Sequence, residues 1–161
     1  MSNRYKQDCK QELEQLVARE PNLNAALLCS VDGLPIASAA NSSLEADAIS
    51  AMCSSMLSLG DALALQGDDD ACIQVVTQSP NQTIALIHAG EDMLLALMGS
   101  RQLKLGMLLG HARKEVETIV EIIRRSKRKE RQVEAARPAA ERKPALLEEL
   151  VNRVIQEAQE R

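Results

Sequence analysis

Few residues of this chain have the types and spacing that catalysis or metal binding requires. The two histidines, His88 and His111, fall in a predicted strand and a predicted helix, and the sequence contains neither an H-x-x-x-H nor a C-x-x-C pair. The cysteines lie about 20 residues apart, so we expect small buried hydrophobic residues rather than metal ligands or disulfides at Cys9, Cys29, Cys53 and Cys72. We therefore assign no catalytic residue, no metal site and no cofactor site.

The sequence also lacks the glycine-rich motifs that hold phosphate groups. It contains neither G-x-x-x-x-G-K-[ST] nor G-x-G-x-x-G, so this chain should not itself bind a nucleoside triphosphate in the usual way. The acidic run at residues 68–70 fits a solvated loop better than a cation site. The pattern favours a protein that works through its surfaces over an enzyme.

Composition narrows the possible partners. The 161 residues fit one domain, and 45% hydrophobic against 26% charged residues is enough for a core. Tyr5 is the only aromatic residue, so no aromatic platform can stack nucleic-acid bases. Residues 1–123 carry a net charge of −8 and residues 124–161 carry +4. An acidic body with a basic tail indicates two functional regions and argues against nucleic acid as the main partner.

The N-terminal residues predict the location of the protein. Residues 1–8 contain no apolar segment typical of a signal peptide, and no run approaches the ~18 consecutive apolar residues of a membrane span. We expect a cytoplasmic protein with no transmembrane segment.

Hydrophobic periodicity and turn signals predict the element order α-β-β-α-β-β-β-α, an α/β (α+β) fold in which helices pack on one five-stranded antiparallel sheet. Asp32 and Gly33 between apolar runs predict a hairpin turn, and Pro35 places the returning strand at a sheet edge. The predicted helices cover residues 5–19, 44–66 and 102–125, and the predicted strands cover 23–31, 34–38, 71–78, 83–89 and 93–99.

The helix predicted at 44–66 carries two stripes at helical spacing. The large residues Ile49, Met52, Met56, Leu59 and Leu63 are expected to cover the sheet. The small residues would let a second helix approach closely, although they could instead form the thin side of a single core face. With the edge strand at 71–78, they suggest a symmetric homodimer. The predicted interface comprises Ala48, Ala51, Ser55, Ser58, Ala62, Ile73 and Val75.

The C-terminal region divides into a basic helix extension and linker at 124–144 and an amphipathic helix at 145–161, after a domain at 1–123. The helix offers anchors for a groove on a signalling partner at Leu147, Leu150, Val151, Val154 and Ile155. Folding back onto the body, or coiling with a dimer mate, is an equal alternative. The basic run at 124–131 could contact nucleic acid or anionic lipid, but interleaved glutamates favour a solvated helix end.

Three features together resemble the Roadblock/dynein light-chain family: the segment 26–38 with its Asp-Gly turn, the Ala/Ser/Met helix, and the Leu-Lys-Leu-Gly-Met run at 103–107. The resemblance covers residues 6–123. It implies dimerisation through the second helix and third strand, and a non-enzymatic role towards Ras-like small GTPases, as in MglB-type regulators. Some of these activate the GTPase, but neither Arg101 nor Arg113 lies in a recognisable arginine-finger loop.

We therefore expect a homodimeric regulator or scaffold that binds a Ras-like small GTPase and modulates its nucleotide cycle or localisation. The alternative is a GTPase-independent signalling adaptor that presents its C-terminal amphipathic helix to a partner protein.

Overall fold

The computed structural model of the chain describes residues 3–67 and 69–136. Over these ranges the elements follow the predicted order α-β-β-α-β-β-β-α. One bound differs clearly from the prediction, because the third strand begins later than residue 71, whereas the last helix continues into the predicted basic helix extension. The elements are α1 (Asn3–Arg19), β1 (Leu23–Ser30), β2 (Pro35–Ala40), α2 (Ala46–Gln66), β3 (Gln74–Gln78), β4 (Gln82–His88), β5 (Met93–Ser100) and α3 (Leu105–Ala136).

The strands form one antiparallel sheet in the order β2-β1-β5-β4-β3. The predicted hairpin is present between β1 and β2, and its turn places Gly33 at a φ of +84°, a conformation that favours glycine. Pro35 begins the edge strand β2, as its missing N–H group predicted. β3 is the opposite edge. The sequence therefore predicted both edges of the sheet.

The helices cover the sheet from both faces, in three layers. α1 and α3 lie on one face, where leucines such as Leu28, Leu95 and Leu97 are fully buried. Burial of each such side chain stabilises the fold by about 1.5–3 kcal/mol. α2 lies on the other face over a smaller core, here called the α2-side cluster: Leu27, Cys29, Cys53, Leu57, Leu86, Leu94 and Ala96.

Two hydrogen bonds fix α2 to the sheet side of the fold. Close to its middle, the Ser54 hydroxyl donates to the carbonyl oxygen of Val31, where β1 enters its turn. Near its end, the Asp61 carboxylate accepts a hydrogen bond of 2.8 Å from the backbone N–H of Cys72, just before β3. The helix is therefore held at both the β1–β2 hairpin and the β3 edge.

Two glycines let α2 come very close to its neighbours. A Cβ at Gly33 would lie 3.1 Å from the Cα of Ala51, and a Cβ at Gly60 would lie 2.9 Å from Sγ of Cys72 and 3.1 Å from a methyl carbon of Val75. The distance of 2.9 Å is one that real Cβ atoms essentially never show, and 3.1 Å is tighter than nine in ten real Cβ contacts; at Gly33 the positive φ adds strain for any other residue. Both positions therefore require a residue without a side chain.

This close approach explains why one prediction about α2 is wrong. We expected the large stripe to cover the sheet, but Met52, Leu59 and Leu63 are 55%, 66% and 72% exposed and do not belong to the α2-side cluster. Only Ile49 and Met56 of that stripe pack against the α2-side cluster. The buried residues of the helix are Ser50, Cys53 and Leu57, two of them small.

The cysteines behave mostly as small hydrophobic residues. All four are free; Cys9, Cys29 and Cys53 are buried, and Cys72 is half-buried. Burial raises the pKa of the Cys9 and Cys29 thiols to about 11. Both thiols are therefore neutral at neutral pH and unsuited to nucleophilic or metal-binding chemistry.

The chain divides into two compact units, Met1–Ser126 and Lys127–Arg161. In the second unit the described residues are the last helical turns of α3, and the side chains from Lys127 to Val133 are exposed. The predicted linker beyond Ala136 and the predicted helix at 145–161 lie outside the described residues.

We predict that Gly60→Ala destabilises the domain by about 1–3 kcal/mol, although alanine is normally preferred over glycine inside a helix by about 0.5–1 kcal/mol. The new methyl group would collide with Cys72, whose Sγ donates a hydrogen bond of 3.1 Å to the carbonyl oxygen of Gln74. α2 would have to move away from β3. Urea denaturation measures the loss as a lower free energy of unfolding.

Gly110→Ala is the matched control. Gly110 lies inside α3, and apart from its chain neighbours and the backbone of its own helix no heavy atom of the described residues lies within 4 Å of the position that its Cβ would occupy. This substitution should therefore stabilise the protein by about 0.5–1 kcal/mol. Equal effects at the two positions would contradict the close approach of α2 to β3.

Candidate functional site

The side of α2 that faces away from the sheet forms a continuous apolar surface. The residues at its centre, such as Ser55 and Leu59, lie opposite the buried positions Cys53 and Leu57. All five of the small residues that were predicted to form the interface on this helix are exposed here. We call this surface the outer face of α2, comprising Ala48, Ala51, Met52, Ser55, Ser58, Leu59, Ala62 and Leu63.

The hydroxyl groups on the outer face already have hydrogen-bond partners within the helix. The hydroxyls of Ser55 and Ser58 donate to the carbonyl oxygens of Ala51 and Ser54, one turn earlier, at 2.9 and 3.0 Å. The acidic residues of α2 do not interrupt the face, because one lies in the first turn and the other binds the backbone before β3. The face could therefore be buried by another apolar surface without the loss of hydrogen bonds.

The two predicted interface residues outside α2 lie in different environments. Ile73 precedes β3 and is 81% exposed, so its side chain is available for contact. Val75 lies on β3 but is half-buried, and it packs against the α2-side cluster beneath Gly60. Its side chain therefore contributes to the core of its own domain, and the part of β3 open to a partner is the backbone edge.

A cleft of about 470 Å³ borders the outer face. It lies between the first half of α2 and the part of the sheet that this helix does not cover. Its apolar wall comprises Ile49, Met52, Met56, Ile84, Leu86 and Met98, and its polar rim includes Asn24, Asn41, Ser42, Ser43 and Gln82. Sequence reasoning missed this cleft, because its lining comes from α2, from β1, β2, β4 and β5 and from the segment between β2 and α2, and depends on how the helix crosses the sheet.

The chemistry of this region is that of apolar association. The cleft lining includes no His, Asp, Glu, Lys or Arg residue, and Cys53 is its one ionisable side chain. Burial raises the pKa of that thiol. In the part of the chain that the structure describes, no group of three or more His, Cys, Asp or Glu residues could hold a metal ion. The arrangement provides shape and apolar area but no proton donor or acceptor for catalysis.

By length and composition, α2 is long and apolar enough to cross a membrane, with 21 residues and a mean hydropathy of 1.4. The count of consecutive apolar residues did not reveal this property, because serines and a glycine interrupt the apolar runs. In the structure, α2 forms one layer of the fold and packs on the sheet through Cys53 and Leu57.

Neither the two arginines that were considered and not assigned as fingers nor the predicted anchors of the C-terminal helix belong to this surface as the structure describes it. Arg101, between β5 and α3, and Arg113, on α3, are both exposed. The five predicted anchors of the C-terminal helix lie outside residues 3–67 and 69–136. Their role as a docking surface therefore stays a prediction.

The sequence and the fold both match known proteins. The family model of the Roadblock/LC7 domain matches residues 9–98, from α1 to β5. A Roadblock/LC7 domain from Streptomyces avermitilis is 25% identical, with a TM-score of 0.66 over 71% of this chain and 96% of that chain. Among curated proteins, none matches the chain.

MglB structures have a similar fold at lower identity. The gliding protein MglB from Thermus thermophilus is 20% identical, with a TM-score of 0.67 over 73% of this chain and 90% of that chain. An MglB described with a tetrameric arrangement is also 20% identical, with a TM-score of 0.67 over 73% of this chain and 89% of that chain. The family match covers more than half of the chain and both edges of its sheet, and we conclude that this protein belongs to the Roadblock/LC7 domain family.

Proposed function

We propose that this protein is a homodimeric regulator or scaffold that binds a Ras-like small GTPase and modulates its nucleotide cycle or localisation. The observation that carries the proposal is the uncharged, apolar outer face of α2 beside the open edge of β3, in a member of the Roadblock/LC7 family.

The outer face of α2 supports self-association. Large exposed apolar side chains such as Met52, Leu59 and Leu63 are costly on an isolated domain, and contiguous surfaces of this kind mark interaction sites. In a two-fold symmetric pair, α2 packs antiparallel against α2 of the second copy. The small residues between the large ones let the two helices approach closely, so that each leucine fills a space over the other helix.

The cleft and the β3 edge extend the same interface. In an antiparallel pair, the leucine-rich second half of one α2 lies along the first half of the other, which borders the cleft. Burial of leucine side chains there would cover apolar residues such as Ile84 and Met98. Two β3 edges can also pair into one continuous sheet, which satisfies backbone groups that an edge strand leaves open.

The role towards a small GTPase rests on the family resemblance. The chain has no phosphate-binding motif, so the nucleotide belongs to the partner. No arginine of the body is assigned as a finger that would complete the GTPase site, and we therefore propose binding and regulation without choosing between activation and scaffolding. The self-association of a relative, the MglB with a tetrameric arrangement, supports the dimeric part of the proposal.

A GTPase-independent adaptor is the second candidate. The amphipathic pattern at 145–161 lies beyond the residues that the family model matches, so the family does not account for it. In this alternative the dimer displays two copies of that helix to a signalling protein.

We predict that Ala51→Arg breaks the dimer. Ala51 is exposed in the single chain, so arginine there should be tolerated by the fold, but the dimer would bury an unpaired charge. The dimer dissociation constant should increase by roughly 100-fold or more. Sedimentation velocity over a concentration series measures it. Ala18→Arg, an exposed position on α1, is the control and should remain dimeric; an Ala51→Arg protein as dimeric as this control would refute the interface.

We predict that the protein binds at least one purified Ras-like GTPase of its source organism, with affinities for the GDP-loaded and GTPγS-loaded forms that differ by about tenfold or more. Calorimetry with the full chain measures this difference. A Leu150→Asp/Val154→Asp variant should bind in the same way, because the proposed surface lies in the body. Binding that is lost in this variant and insensitive to the nucleotide would support the adaptor instead.

A further inference from the structure

The seam between α1 and α3 contains a buried acidic side chain. Glu115 of α3 is 2% exposed, although it is a glutamate. Its Oε2 lies 4.0 Å from Nη2 of Arg19 on α1, and its Oε1 has no hydrogen-bond partner among residues 3–67 and 69–136. An ionised carboxylate in this position would lose its hydration and gain little in return.

The positive charge near Glu115 is already shared. Arg19 is 58% exposed, and its Nη2 donates a hydrogen bond of 3.4 Å to Oε1 of Glu12, also on α1. One guanidinium group thus faces two carboxyl groups. When both are ionised, the three side chains carry a net charge of −1 at a buried seam. When Glu115 carries a proton, the same group is neutral.

The other polar groups at the seam do not supply the missing charge. Cys9 of α1 is fully buried beside Glu115, and its thiol is neutral because burial raises its pKa to about 11. Lys114 is the neighbour of Glu115 on α3 and is itself exposed. His111, one turn earlier, lies 3.2 Å from the Glu20 carboxylate, which is therefore its partner.

We propose that Glu115 acts as a proton-dependent latch between α1 and α3: the seam is closed while this side chain is protonated, and loss of the proton favours local release of α1. Because Glu115 faces Arg19 and Cys9 of α1, separation of the two helices should return its carboxyl group to water. α2 packs on the opposite face of the sheet, so we expect it to stay in place while α1 opens.

The direction of the pH dependence follows from the two states of Glu115. Burial, followed by the nearby Glu12, raises its pKa to about 7, while Arg19 and Lys114 oppose the rise. In the open state the ordinary value of 4.5 applies. Between about pH 4.5 and about pH 7 the closed state therefore holds one more proton than the open state. The latch is strongest below this window and weakens as the pH rises through it.

Hydrogen exchange of the α1 backbone amides in the full chain tests the latch. After correction for intrinsic exchange rates, the opening constant of α1 should increase by about tenfold per pH unit between about pH 5 and about pH 6.5. Glu115→Gln, which keeps the shape but cannot ionise, should remove this increase. Glu117→Gln is the matched control, because Glu117 is exposed on the same helix and its substitution should leave the increase intact.

Three results would overturn the proposal. If Glu115→Gln keeps the increase, Glu115 is not the group that controls the opening of α1. If the amides of β5 open with the same pH dependence as those of α1, the whole domain unfolds and no local latch exists. If Glu115→Gln fails to fold, an NMR titration of the wild-type Glu115 carboxyl decides the question. A midpoint near the ordinary value of a glutamate contradicts the latch, and a midpoint near neutrality supports it.

Discussion

The close contact between α2 and the sheet is the constraint on which the rest of the structure depends. Gly60 leaves no space for a side chain against Cys72, and the Ser54 hydroxyl binds the carbonyl group of Val31. Such contacts require small residues where α2 approaches its neighbours most closely. Met52, Leu59 and Leu63 are on the outer face, where the described part of the chain provides no layer to cover them.

A core without Phe or Trp makes this constraint more severe. Aromatic side chains bury the most area per residue, and without them the α2-side cluster is thin. It leaves a cleft under the first half of the helix rather than a closed interior. The opposite face is covered by two helices and contains the larger set of fully buried leucines. A second copy on the α2 side would cover this face with a further helix, so that both sides of the sheet would have two helices.

The sequence predicted features with local causes and missed those set by contacts between distant residues. Asp32, Gly33 and Pro35 define a turn and a sheet edge through their own backbone preferences, and both were found. The rotation of α2 depends on Gly60 meeting Cys72, which no periodicity encodes. Glu115 did leave a signal, because it stands among the apolar residues of α3 at helical spacing. Its burial becomes evident only when α1 is in place.

The two faces of the sheet depend on different conditions for their stability. The outer face of α2 lacks a covering layer, so its burial depends on protein concentration through self-association. The seam at Glu115 lacks a compensating charge, so its closure depends on proton concentration. The sheet separates the outer face of α2 from the seam at Glu115, and the core clusters on its two faces share no residue. Changes at the two sites should therefore have nearly additive effects on the free energy of unfolding. A dimer could therefore remain assembled through α2 while α1 opens on the opposite face, and partner binding at one face need not disturb the other.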